Sequence, residues 1–227
     1  MALPAIAQAQ AIACALPTDL PRPRADGPDA RDLRRVLPIA GYTLALSWAP
    51  QFCRARGSSD SAAIQCRVGN RFGFILHGLW PDGPGGEWPQ YCRPVALLSE
   101  ATLRRNLCAT PSVQLLQRQW TKHGSCMNTD ADGYFRQATA LYGRIRYPDM
   151  GALSRRPTLT AGALVAAIAR INPGLQPSML RITTERGGWL DEVRICLDRN
   201  FRYMRCNPLR AGVGASAPVR IWRGAVA

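Results

Sequence analysis

The sequence predicts an α+β fold: a central antiparallel sheet packed with several helices and stabilised by disulfides. Three observations lead there. Tyr42–Trp48 and Val193–Leu197 alternate in polarity as half-buried strands do. Three longer stretches carry apolar residues at helical spacing. Eight cysteines lie scattered at positions 14, 53, 66, 92, 108, 126, 196 and 206. None is spaced as Cys-x2-Cys, which argues against a zinc ribbon or finger. An even, dispersed set reads as disulfides made in an oxidising compartment.

A length of 227 residues with 47% apolar content suits one packed domain. We divide it into a leader (1–38), a main domain (39–206) and a C-terminal tail (207–227). Residues 2–17 are apolar and small, and Ala7-Gln8-Ala9 resembles a signal cleavage site. The first arginine is Arg22, so a basic start is missing. The stretch reads as the rear of a secretory signal, or as a mature chain with an added Met. Ala11-Ile12-Ala13-Cys14 is a poor lipoprotein box, which leaves Cys14 as an ordinary disulfide partner. Residues 17–38, with Pro-Arg-Pro-Arg at 21–24, predict an irregular segment that wraps the domain.

In the first strand, Tyr42, Leu44, Leu46 and Trp48 face one way. Residues 54–70 form a loop bounded by Cys53 and Cys66. Arg71–Leu76 is a second strand with His77 at its end. The Pro- and Gly-rich run 81–94 is a long loop, a wall for an active site. Helices follow at Ser112–Gly124, anchored by Leu115, Leu116 and Trp120, and at Asp132–Tyr147. A third runs over Thr160–Ile171, opened by Thr160 and ended near Asn172-Pro173-Gly174. Val193, Ile195 and Leu197 mark a late strand, with Phe201–Cys206 as its hairpin partner. Residues 207–227 show no period.

A net charge of +14 and a pI near 10.3 call for an anionic partner: nucleic acid, acidic polysaccharide or an anionic membrane surface. Pairs such as Arg34-Arg35 and Arg104-Arg105 are too short to be more than solvated surface. No stretch reaches the about 20 apolar residues of a membrane span.

The chain has two histidines and one lysine; every other basic residue is arginine. All three exceptions fall in two short motifs. His77 lies in Phe74-Ile-Leu-His-Gly-Leu-Trp-Pro81, and Lys122-His123 in Gln119-Trp-Thr-Lys-His-Gly-Ser-Cys126. Gln119, Lys122 and His123 stand at i, i+3 and i+4, one face of a helix. Two imidazoles and a cation suffice to cleave RNA without a metal. One ring takes the ribose 2′-OH proton, the other protonates the leaving 5′-oxygen, and the cation stabilises phosphoryl charge. Imidazole suits both tasks because its ordinary pKa is about 6.5.

These two motifs resemble the active-site segments of the RNase T2 family, and the resemblance runs from about Tyr42 to Cys206. It implies that 39–206 is the catalytic domain, with His123 as general base, His77 as general acid and Lys122 stabilising the phosphorane. It implies no metal and no cofactor, a single-stranded RNA substrate, loose base preference, and 2′,3′-cyclic phosphate ends that are hydrolysed slowly or not at all. Trp80 matches an aromatic on the base side of the cleft, with a core or loop anchor as the alternative. Asp82 and Trp88 occupy a loop where some members touch the base; plain loop residues are the competing reading. Trp120 and Arg118 complete the substrate-binding set, Arg118 as a holder of phosphate.

The sequence departs from the family where His-Glu-Trp is usual and Arg118-Gln119-Trp120 stands instead. An amide donates a hydrogen bond but relays no proton. We expect weakened catalysis, with a solvent-facing, neutral Gln119 as the alternative. A catalytically silent relative that binds RNA or another partner is the second reading of the whole chain. A polysaccharide or membrane binder rests on charge alone. The resemblance and layout imply the disulfides Cys92–Cys126, Cys53–Cys66 and Cys196–Cys206, leaving Cys14 with Cys108. They also imply a secreted or periplasmic monomer with no obligate protein partner.

Overall fold

The computed structural model describes residues 11–59, 62–67, 69–210 and 212–224. Ala7-Gln8-Ala9 lies outside them. Four strands form one antiparallel sheet in the order β4-β2-β6-β5. They are β2 (Gly41–Trp48), β4 (Phe74–Asp82), β5 (Leu180–Glu185) and β6 (Trp189–Leu197). A small second sheet pairs β1 (Ala11–Ala13) with β3 (Arg71–Phe72).

One face of the large sheet carries Leu44, Leu46, Leu79, Ile182, Val193 and Ile195 into the core. Helices cover that face: α3 (Val113–Lys122), α4 (Ala131–Arg144) and α6 (Ala161–Arg170). Each is opened by a side-chain cap, Ser112, Asp130 and Thr160, that accepts a backbone N–H. Shorter helices are α1 (Ala49–Arg56), α2 (Glu100–Asn106) and α5 (Met150–Ser154). Among the described residues no helix is long and apolar enough to cross a membrane.

Strand β4 lies at the sheet edge, and its outward backbone groups are taken up by side chains and loops. Tyr134 donates its hydroxyl to the Leu79 carbonyl (3.0 Å), Tyr142 to Phe74 (2.7 Å) and Thr110 to Leu76 (2.6 Å). The Leu76 N–H donates to Ala109 (2.9 Å). An edge satisfied in this way is rigid and closed to further strand pairing.

The structure corrects two sequence expectations. Arg71–Leu76 is not one strand: Arg71–Phe72 pairs with β1, and β4 runs from Phe74 to Asp82, so His77 sits inside a strand. Phe201–Cys206 is not the partner of β6; that place belongs to β5, and only Tyr203 bridges Leu197. The disulfide Cys196–Cys206 holds the later segment instead. The leader and tail also pack on the domain. Cys14 is bonded to Cys108, the Trp48 indole donates to the Trp222 carbonyl (2.6 Å), and Val219 and Ile221 are buried. The remaining disulfides join Cys53 to Cys66 and Cys92 to Cys126.

Candidate active site

A one-residue bulge aims His77. Ala45 of β2 faces Gly78 and the next residue, Leu46, faces Leu76, so His77 has no cross-strand partner. Strict alternation would put His77 on the side of Leu79, which is fully buried in the core. The bulge resets the phase, and His77, Trp80 and Asp82 all line one cleft of about 350 Å³.

Across the sheet, Glu192 of β6 is the register partner of Ser47 of β2. Nδ1 of His77 makes a very short contact with the Glu192 carboxylate and lies 3.3 Å from the Ser47 hydroxyl. Ser47 donates to Glu192 at 3.0 Å and the Arg194 Nε at 2.8 Å. Burial alone would raise the Glu192 carboxyl. The hydrogen bond and charge of His77, with Arg194 beside it, outweigh burial and hold it at about 2.

Helix α3 supplies the opposite wall. Its cap at Ser112 and its buried Leu116 and Trp120 fix its rotation, which turns Gln119, Lys122 and His123 into the cleft. His123 follows the last helical residue and is only 6% exposed. Its Nδ1 is enclosed without a hydrogen-bond partner among the described residues. Burial first, then the charges of Lys122, His77 and Arg118, push its pKa well below the ordinary histidine value.

Trp80 stands between the two histidines. Its ring stacks on His123 (centroids 5.5 Å apart) and meets His77 edge-on (5.1 Å). Its indole N–H donates to Gln119 Oε1 at 2.7 Å. Gln119 is therefore buried, at 4% exposure, and does not face solvent. A Cβ on Gly78 would lie 2.0 Å from Gln119 Oε1, so this approach requires glycine.

The leader enters the site. Asp32 lies 2.7 Å from the Lys122 ammonium and also pairs with Arg118, which reaches Asp26 at 3.4 Å. The Lys122 hydrogen bond lowers the Asp32 carboxyl; burial opposes it, and the charges of Lys122 and Arg118 add to the lowering. In this structure Arg118 holds carboxylates of the leader and still lines the cleft.

The other candidates divide. Asp82 ends β4 rather than sitting in a loop; Thr43 donates to it at 2.7 Å and Arg210 lies 3.0 Å away. Burial raises its carboxyl, with Thr43 and Arg210 opposing. Trp88 is on the loop at the cleft rim, 37% exposed, with the Arg35 and Arg210 guanidinium groups 5.2 and 5.4 Å from its ring centre. Trp120 is corrected to a core residue. It packs on Tyr134, and its ring fills the space a Cβ on Gly124 would need. Sequence reading missed Glu192, Arg194, Asp32 and Arg210. The alternation through Val193 marks Glu192 and Arg194 as sharing a face, but nothing local says that the face meets His77.

The sequence model of a family described as the Ribonuclease T2 family matches residues 40–206. A "Probable ribonuclease" of Haemophilus influenzae is 29% identical over 180 residues, 74% of this chain and 61% of that protein. The chain therefore spans less than two thirds of that relative's length. A "Ribonuclease" of Aeromonas hydrophila is 30% identical, covering 70% of this chain and 71% of the relative. The crystal structure of RNase NT in complex with 5′-AMP superposes with a TM-score of 0.65 at 20% identity, over 81% of this chain and 98% of the other. At that identity it shows a shared fold.

Proposed function

Because the chain belongs to the Ribonuclease T2 family, we propose that it is an endoribonuclease cleaving single-stranded RNA by two-histidine transesterification. One observation carries the reading: His77 and His123 share a cleft, on either side of one indole, in opposite electrostatic surroundings. His123, buried among cations with no carboxylate partner among the described residues, is held neutral and takes the 2′-OH proton. The 2′-oxygen then bonds to phosphorus as the bond to the 5′-oxygen breaks. His77 gives its proton to that leaving oxygen. A 2′,3′-cyclic phosphate and a 5′-hydroxyl result, and hydrolysis of the cyclic ester would run the same two rings in reversed roles.

Lys122 carries three N–H donors, so one bond to Asp32 leaves others for the phosphoryl oxygens. The Gln119 Oε1 is used by Trp80, which leaves the amide N–H groups to donate to the phosphorane. Trp80 and Trp88 offer ring faces to bases, and the excess of arginine supplies the backbone attraction. Four disulfides, with no free cysteine among the described residues, support an oxidising location, periplasmic or extracellular.

The test is cleavage of mixed RNA in excess EDTA by the full chain and by His123→Ala, with product ends identified by mass. Cyclic phosphate ends that vanish in the variant are expected. Intact RNA with folded, oxidised wild-type protein would reject the reading. It would favour a silent RNA-binding relative, which the Gln119 replacement and the occupied Lys122–Arg118 pair already motivate.

A further inference from the structure

We propose that Glu192 is a positioning residue for His77: it fixes the imidazole tautomer and presents Nε2 to the leaving 5′-oxygen. The inference rests on the ribonuclease reading above and adds a residue that the two motifs do not contain.

The geometry is that of a built site. Glu192 has a side chain only 5% exposed, on the strand two places from His77 across the sheet. Its Oε1 meets both His77 Nδ1 and the Ser47 hydroxyl, and its Oε2 takes the Arg194 guanidinium at 2.8 Å. An ionised carboxylate only accepts, so Nδ1 of His77 must carry the hydrogen and Nε2 is left for substrate. The contact also answers a local need. A bulged residue lacks the cross-strand neighbour that normally steadies a strand side chain, and His77 is the bulged residue. Ser47 and Glu192, register partners on the next two strands, take that place. Arg194 secures the carboxylate from the far side and also lies 5.2 Å from the centre of the Trp80 ring. One chain of contacts thus runs Arg194–Glu192–His77–Trp80–Gln119 across the cleft floor.

A purely structural ion pair would affect every substrate equally, whereas a group that serves the general acid would not. The comparison is between a diribonucleoside monophosphate, whose leaving alkoxide needs a proton, and a ribonucleoside 3′-(p-nitrophenyl phosphate), whose leaving group does not. Glu192→Gln should lower kcat on the dinucleotide by about 10²-fold, the upper range for such supporting groups, with KM changed less than about twofold. On the activated ester the loss should be under about fivefold, and His77→Ala should show the same selectivity. Glu192→Asp should recover part of the dinucleotide rate. Equal losses on both substrates, or no loss, would overturn the proposal.

A second measurement needs no variant. With two histidines in the chain, the imidazole ¹⁵N spectrum of the oxidised protein contains two rings. His77 should carry hydrogen on Nδ1 at every pH where the protein is folded and Glu192 is ionised; a neutral ring protonated only on Nε2 would overturn the proposal even if Glu192→Gln fails to fold. If wild-type protein cleaves neither substrate, the ribonuclease reading fails instead, and the spectrum still judges the Glu192 contact.

Discussion

The two histidines occupy opposite environments. His77 stands on a sheet bulge, its side chain 31% exposed and its Nδ1 on a buried carboxylate. His123 ends a helix, buried, with no hydrogen-bond partner for Nδ1 among the described residues, near Lys122, Arg118 and His77. One setting keeps a proton on a fixed nitrogen; the other keeps the ring uncharged. In the proposed reaction, identical side chains become an acid and a base through what surrounds them, as enzymes that divide roles between like groups require.

The harshest way to break this contrast is to delete one member. His123→Ala should lower kcat on RNA by about 10³- to 10⁴-fold, near the upper limit for a single proton-transfer group; a loss under tenfold in a single-turnover assay would remove His123 from the mechanism. Gln119→Glu erases the contrast differently, by giving His123 the carboxylate neighbour that His77 already has. Glutamate keeps the acceptor for the Trp80 indole. Cleavage should rise by about 10-fold or more, given what one stabilising group commonly contributes. An unchanged rate would show that position 119 does not act on the phosphorane; a lower rate would show that the amide donor serves it better than a carboxylate.

The pH profile sharpens the comparison. Because His123 is held below its ordinary value of 6.5, it stays a competent base into acid, and the acid limb of kcat/KM should lie well below pH 6.5. A limb at or above 6.5 would contradict the buried, neutral ring. Stability should follow pH with the corresponding signs. His123 has its folded value lowered, so the unfolded chain binds a proton first, and stability falls as pH drops below 6.5. Glu192 is lowered from 4.5 to about 2, so its contribution is present above 4.5 and disappears as pH falls toward 2. Denaturant melts of wild type and Glu192→Gln should therefore converge between pH 4.5 and 2. The smallest effect belongs to Asp32→Asn. Uncovering Lys122 and Arg118 should tighten RNA binding a few-fold at low salt, and the gain should vanish at high salt.

Sequence reading reached the histidine pair more easily than it reached their environments. His77, Lys122 and His123 were legible because they are the only residues of their types and sit in short motifs. Strand Gly41–Trp48 and the three long helices were legible because periodicity and caps are local signals. The bulge was not, since a change of register depends on the partner strand. Nor was Glu192, 115 residues from His77, whose place follows from strand order. Helices α1, α2 and α5 are too short to show a period, and α1 begins directly at the end of β2. Asp32 belongs to a segment with no regular structure, held beside α3 by the bridge of Arg35 to Gln90 and the bond of Gln90 to the Leu33 carbonyl. Its contacts with α3, Asp32 on Lys122 and Arg118, Asp26 on Arg118 and Arg24 on Gln114, join residues 86 to 92 apart in sequence, which no local pattern encodes.

The Cys14–Cys108 bond has a further consequence for biosynthesis. Cys53–Cys66 and Cys196–Cys206 join neighbours in the order of the cysteines, but Cys14–Cys108 and Cys92–Cys126 interlace. A chain oxidised in order as it emerges would join Cys14 to Cys53 and Cys66 to Cys92, bonds the mature fold does not contain. Cys14 must therefore wait reduced until residue 108 arrives, or exchange its partner afterwards. Thiol–disulfide exchange, a step of seconds to hours, is therefore the step at which an order-of-emergence pairing would have to be undone.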